Sequence, residues 1–154
     1  MNLVLKSMLL MTALIVIHPV AGSAVADGMP AGEALPDCPA SPNCVSSMAT
    51  DERHHIAPFA FDGPPEAAQE RLRGVLAGRE DTRIVEVRDG YLRVEFRTLL
   101  GFVDDGEFLV DRDARSIQLR SASRSGWWDL GKNRRRMEEI RRAFSAGGDA
   151  PQKR

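Results

Sequence analysis

Between Pro65 and Glu80 the apolar residues Ala68, Leu72, Val75 and Leu76 recur at spacings of three and four. That rhythm predicts an amphipathic helix, opened by Pro64 and Pro65 in its first turn and closed by Gly78 in a left-handed conformation. Before it, His55 to Phe61 reads as a short strand in which Pro58 demands an edge position or an irregular start. Beyond it the period changes to two. Thr82 to Thr98 holds two alternating runs joined through Asp89-Gly90, the pair favoured in type I′ turns. Leu92, Val94 and Phe96 share one face, and Tyr91, Arg93, Glu95 and Arg97 the other. Asp104 to Ser123 continues as a further hairpin turning near Arg112 to Arg115. Ile117 and Leu119 are predicted to face the core with Ser121 and Ser123 on the same parity, and Arg120 and Arg124 on the opposite face. Asn133 to Phe144 forms a second helix with the stripe Met137, Ile140 and Phe144. Extending that stripe back one turn reaches Asn133, a polar residue where an apolar one is expected.

Strand, helix, four antiparallel strands, helix is an α+β order. One arrangement that buries every apolar face is a curved antiparallel sheet of about five strands packed on the C-terminal helix. A second helix then follows the first strand, like a reduced helix-grip fold. A ferredoxin-like sandwich is the alternative, weakened because four successive strands lack an intervening helix.

The first 26 residues differ in kind. Lys6 precedes an apolar run from Ser7 to Ile17, and small residues end in Ala24-Val25-Ala26, the layout of a secretory signal peptide cleaved after Ala26. The run is about half of the ~20 residues a membrane-spanning helix needs, so no integral span is expected after cleavage; an uncleaved amino-terminal anchor is the alternative. The expected location is periplasmic or secreted. Residues 27–37 read as a flexible leader, 38–144 as a single domain and 145–154 as a disordered tail.

Without Lys6 the chain carries 20 basic and 22 acidic side chains. That balance argues against general nucleic-acid binding. The charges are segregated locally: Asp104 to Asp113 holds five acids and one base, and Arg120 to Phe144 holds eight bases and three acids. The two segments are expected to meet in the fold. Cys38 and Cys44 are the only cysteines, and in an exported chain they are most simply a disulfide. A redox pair or half of a metal site is the alternative, but no further cysteine or histidine spacing completes a tetrahedral metal set. No metal or cofactor is expected.

Three blocks depart from what packing alone asks for. The stretch CPASPNCVSS sets Asn43, Ser46 and Ser47 beside the cysteine ring, VDDGEF carries Asp104, Asp105 and Glu107, and RSASRSGWWDLGKNRRR runs from Arg120 to Arg136. In this order the blocks resemble domain-of-unknown-function family 1499, uncharacterised proteins of bacteria and plastids, over roughly Cys38 to Phe144. The resemblance implies no activity. Gly106, Lys132 and the pair Trp127-Trp128 depart from its pattern and affect the shape of any pocket more than its polar chemistry.

The residues themselves leave three readings. In the first, Arg120, Ser121, Ser123, Arg124, Asp129, Asn133 and Arg134 form a non-catalytic receptor for an anionic small molecule, a lipid headgroup or a partner tail, since guanidinium groups grip carboxylate or phosphate in a fork and a helix amino terminus adds N–H donors. In the second, Asp105 and Glu107 serve a hydrolytic or metal-assisted enzyme. Alternation places Asp104 on the other face unless Gly106 permits a bulge, and simple ion pairing with Arg120, Arg124 or Arg134 is the competing account. In the third, Trp127-Trp128 and the basic C-terminal helix dock an envelope protein or a membrane surface. A serine hydrolase is not indicated: Ser46, Ser47, Ser121 and Ser123 lack a nucleophile elbow, and His54 and His55 alternate onto opposite faces.

Overall fold

The computed structural model describes residues 34–148. Its elements run β1 (Cys44–Ser46), β2 (Phe59–Ala60), α1 (Pro65–Ala77), β3 (Thr82–Arg88), β4 (Tyr91–Arg97), β5 (Val103–Asp111), β6 (Ser116–Ser123) and α2 (Lys132–Ala146). The strands form one curved antiparallel sheet in the order β1-β6-β5-β4-β3. β1 and β2 share an edge of β6, the first beside Arg120 to Ala122 and the second beside Ser116 and Ile117. The fold is therefore α+β with the sheet packed against the C-terminal helix, and it has six strands rather than about five.

Alternation explains the core. Leu92, Val94 and Phe96 of β4, Phe108 and Val110 of β5, and Ile117 and Leu119 of β6 all turn to one side of the sheet. There they meet Ala68, Leu72 and Leu76 of α1 and Met137, Ile140 and Phe144 of α2. Phe59 stacks on Phe144 with ring centroids 5.9 Å apart. Each fully buried large side chain contributes about 1.5–3 kcal/mol. On the opposite side a small second cluster joins Leu35, Tyr91 and Leu109.

Several local expectations are corrected. The strand predicted over His55 to Phe61 shrinks to two residues after Pro58, because proline has no N–H for a ladder. β1 was not foreseen; its three residues take their strand character from pairing with β6 rather than from any pattern of their own. Gly78 ends α1 at φ −76°, its N–H bonding to Gly74 O as another helical residue would. At the β3–β4 turn only Gly90 has positive φ, 74°, so the turn is not type I′, which requires both central residues there. No bulge forms at Gly106: β5 keeps continuous register from Asp104 to Asp111, and the irregularity falls between Ile84 and Glu86 of β3. Gly106 serves another purpose. A Cβ there would stand 2.4 Å from Phe96 Cε2 and 2.8 Å from Val94 Cγ2, so glycine lets these core side chains lie across the strand.

The ends also differ. α2 continues through Ser145 and Ala146, the first two residues of the expected tail. Leu35, in the expected leader, is buried against the outer face of the sheet. The signal-peptide reading, residues 27–33 of the leader and residues 149–154 lie outside the described residues. No helix among those described is long and apolar enough to cross a membrane.

Candidate functional site

Successive residues of a strand point to opposite sides of its sheet, so the acidic block of β5 is divided between two environments. On the helix-facing side Asp104 Oδ2 accepts a hydrogen bond from Arg136 Nη2 at 2.8 Å, with the two side chains 4% and 3% exposed. Arg136 also donates from Nη1 to Asn133 Oδ1 at 3.1 Å and lies over the Phe96 ring. Asn133 is wholly buried and fully engaged: Oδ1 accepts from Ser121 Oγ at 2.6 Å, and Nδ2 faces Asn43 O, Ser123 Oγ and Asp129 Oδ2 at 2.8–3.1 Å. Asp129 closes the amino end of α2, accepting from Gly131 N at 2.9 Å and Asn133 N at 2.8 Å. A carboxylate there is favoured by the helix dipole. Every charge in this cluster meets an opposite charge or a backbone donor, as burial in low dielectric requires.

On the outer side Arg124 holds Asp105 in a two-bond fork, Nε at 2.8 Å and Nη2 at 2.7 Å, and Nη2 reaches Glu95 Oε1 at 2.8 Å. The Arg124 hydrogen bond holds the Glu95 carboxyl below its usual range, and the two acids push the guanidinium of Arg124 higher still. Next along the strand, Arg120 Nη1 meets Glu107 Oε1 at 3.2 Å and Tyr91 OH donates to Glu107 Oε2 at 3.0 Å. Burial, then the neighbouring Glu107 charge, pushes the Tyr91 hydroxyl up to about 12.

The cations expected to form one fork are thus separated. Arg120 and Arg124 lie on the outer face and are occupied by acids, whereas Arg134 stands on α2 and donates to Arg53 O at 2.9 Å. Asp105 and Glu107 do share a face, each bound to its own arginine. Among the described residues no group of three or more His, Cys, Asp or Glu is placed to hold a metal ion.

The serines and the cysteine ring act as supports. Ser47 Oγ donates to Gln118 Oε1 and accepts from Leu119 N, locking β1 to β6, and Ser46 Oγ accepts from Met48 N. Cys38 and Cys44 are joined in a disulfide with Cα atoms 5.7 Å apart. Within that ring Asn43 donates to Gly126 O and receives Ser41 Oγ. His54, which alternation made incidental, is buried and bridges Asp51 Oδ2 at 2.9 Å to Ser41 O at 3.1 Å. The ring therefore holds in place the loop that follows β6.

That loop walls a pocket of about 540 Å³. One side is the β4–β5 turn, with Leu99, Leu100 and Phe102; the other is the loop after β6, with Trp128 and Leu130. Asp104, Ser123, Asp129 and Lys132 supply its polar groups. Asp104 is neutralised by Arg136, and Asp129 is held by N–H donors. The half-buried Lys132 has no carboxylate within ion-pair distance among the described residues, which leaves its ammonium free to meet an anion. Leu99, Leu100, Phe102, Leu130, Lys132 and Arg136 were not among the expected site residues. Arg136 stands three residues after Asn133, on the face of α2 that the apolar stripe already defined, and TLLGF is an apolar run that breaks strand alternation at a glycine.

The family described as Protein of unknown function (DUF1499) matches residues 34–144. No curated protein matches the chain.

Proposed function

The chain belongs to the DUF1499 family, whose description names no activity, and we propose that it is an exported, non-catalytic binding domain for an amphipathic anion. The ligand has an aryl or acyl body between Phe102, Trp128 and Leu130, and a carboxylate, sulfonate or phosphate head beside Lys132 and the amino end of α2. The observation that carries this reading is the unpaired Lys132 ammonium at the edge of an apolar pocket whose two carboxylates are already satisfied. Pockets for small molecules have this make-up, apolar walls with a few placed polar groups. Saturation of Arg120 and Arg124 by acids moves recognition from the arginine cluster to this pocket. The disulfide is compatible with an extracytoplasmic location, and the amino-terminal layout supports export by a signal peptide.

Anilinonaphthalene sulfonate has the required chemistry and brightens in apolar surroundings. The expected titration shows one saturable site per chain, weakened on the order of tenfold by Lys132→Ala through loss of a charge-assisted bond and largely kept by Lys132→Arg. Absence of a saturable site, or equal affinity in Lys132→Ala, contradicts the reading.

A further inference from the structure

Eight large apolar side chains are notably exposed among the described residues, and six of them stand on the two loops at one end of the sheet. Leu99 and Leu100 are 106% and 84% exposed, with Phe102, Trp127, Trp128 and Leu130 between 55% and 70%. The β4–β5 turn that carries the leucines is built to keep them out. Thr98 N bonds Phe102 O at 2.8 Å, Gly101 N bonds Thr98 O at 2.9 Å, and Phe102 N bonds Thr98 Oγ1 at 3.0 Å, with Gly101 at φ 82°. Such a turn holds its tip in solvent instead of folding it onto the core. A contiguous apolar patch on a soluble face marks an interaction surface.

The charges around it choose the partner. Arg97 precedes the leucine turn, and Lys132 and Arg135 follow the tryptophan loop; none has a carboxylate partner among the described residues. Arg79, Arg93, Arg120, Arg124 and Arg136 each meet an acid; other described cations, Arg134 among them, do not, so what marks this end is that its unpaired cations flank exposed apolar side chains. Thr98 to Val103 contains no acid, and the one acid of the tryptophan loop, Asp129, is turned to the amino end of α2. Protruding leucines, paired indoles and a cationic rim match the layered chemistry of an anionic bilayer: acyl chains for leucine, the interfacial zone for tryptophan, lipid phosphates for arginine and lysine.

We propose that this end of the molecule docks onto an anionic lipid surface, the Leu99-Leu100 tip and Trp127-Trp128 entering the interface while Arg97, Lys132 and Arg135 face the headgroups. The proposal goes beyond the pocket reading and rests on the exposed side chains, not on a ligand in the cavity.

The chain has two tryptophans, both in this patch, so intrinsic emission reports the surface directly. The mature protein, from Asp27 on, is titrated with vesicles of phosphatidylcholine alone and of equimolar phosphatidylcholine and phosphatidylglycerol. Docking predicts a blue shift with the anionic vesicles, quenching by brominated acyl chains, and weakening as salt is added. Leu99→Asp with Leu100→Asp, both at solvent-exposed positions, should abolish the shift while far-ultraviolet circular dichroism stays native. Ser125→Phe, which sets a bulky ring on the pocket wall, should block the naphthalene sulfonate and leave the vesicle shift intact, so the two readings fail separately. An unshifted emission with anionic vesicles overturns the proposal. So does an equal shift with phosphatidylcholine alone, a shift that survives the double substitution, or tryptophans shielded from acrylamide before any lipid is added, which would mean that the chain itself or a second copy covers the patch.

Discussion

Asp104 and Asp105 are neighbours in β5, and each is held by an arginine at under 3 Å, yet the two pairs do different work. The Asp104–Arg136 pair is sealed between sheet and helix, and the guanidinium joins it to the Asn133 network. The Asp105–Arg124 pair lies on the outer face with side chains 28% and 44% exposed. One residue of strand thus separates a buried polar keystone from a solvated ion pair. Burial, not the presence of an acid and an arginine, decides which pair the fold depends on.

The comparison breaks most visibly at Arg136. Arg136→Ala leaves the Asp104 carboxylate buried and unpaired, at an expected cost of about 3–5 kcal/mol in urea unfolding, a large part of the ~5–15 kcal/mol stability of a typical domain. Asp104→Leu with Arg136→Met should restore much of that loss, since removing both charges leaves none to desolvate. Next in size, Asn133→Ala strands the buried Ser121 hydroxyl and the Arg136 Nη1 donor, for about 1–3 kcal/mol in the same assay. The outer pair sharpens the contrast from the other side. Arg124→Ala should lower the unfolding midpoint only slightly at neutral pH. There the depressed Glu95 carboxyl contributes stability that is present above the ordinary glutamate range and lost as pH falls through its folded value, so the gap between the two proteins closes in acid. The acid limb of the wild-type stability profile should therefore be steeper than that of Arg124→Ala.

Much of this was readable beforehand, for identifiable reasons. The two-residue period located β3 to β6, and the spacing of Ala68, Leu72 and Leu76 located α1, because these elements bury one face each. Parity alone separated Asp104 from Asp105 and Glu107, and Asn133 stood out as polar on an apolar stripe. That acids of β5 pair with Arg120 and Arg124 was readable from the segregated charges, but which acid meets which arginine was not, because it depends on register: Glu107 faces Arg120 directly across the β5–β6 ladder, and Glu95 faces Asp105 across β4–β5. The pocket was hidden for the same reason. Its walls are loops that begin at Thr98 and Ser125, brought together only when β4, β5 and β6 lie side by side.

Arg124 and Ser125 are consecutive residues, one bound to the outer acids and the other lining the pocket, so they separate the two accounts of where this protein binds. The decisive measurement is the dissociation constant of anilinonaphthalene sulfonate for Arg124→Ala and Ser125→Phe, titrated beside wild type. Binding in the loop pocket predicts wild-type affinity, within about twofold (~0.4 kcal/mol), for Arg124→Ala and no saturable binding for Ser125→Phe. The opposite pattern, affinity lost with Arg124 and kept in Ser125→Phe, would return recognition to the arginine cluster and contradict the account.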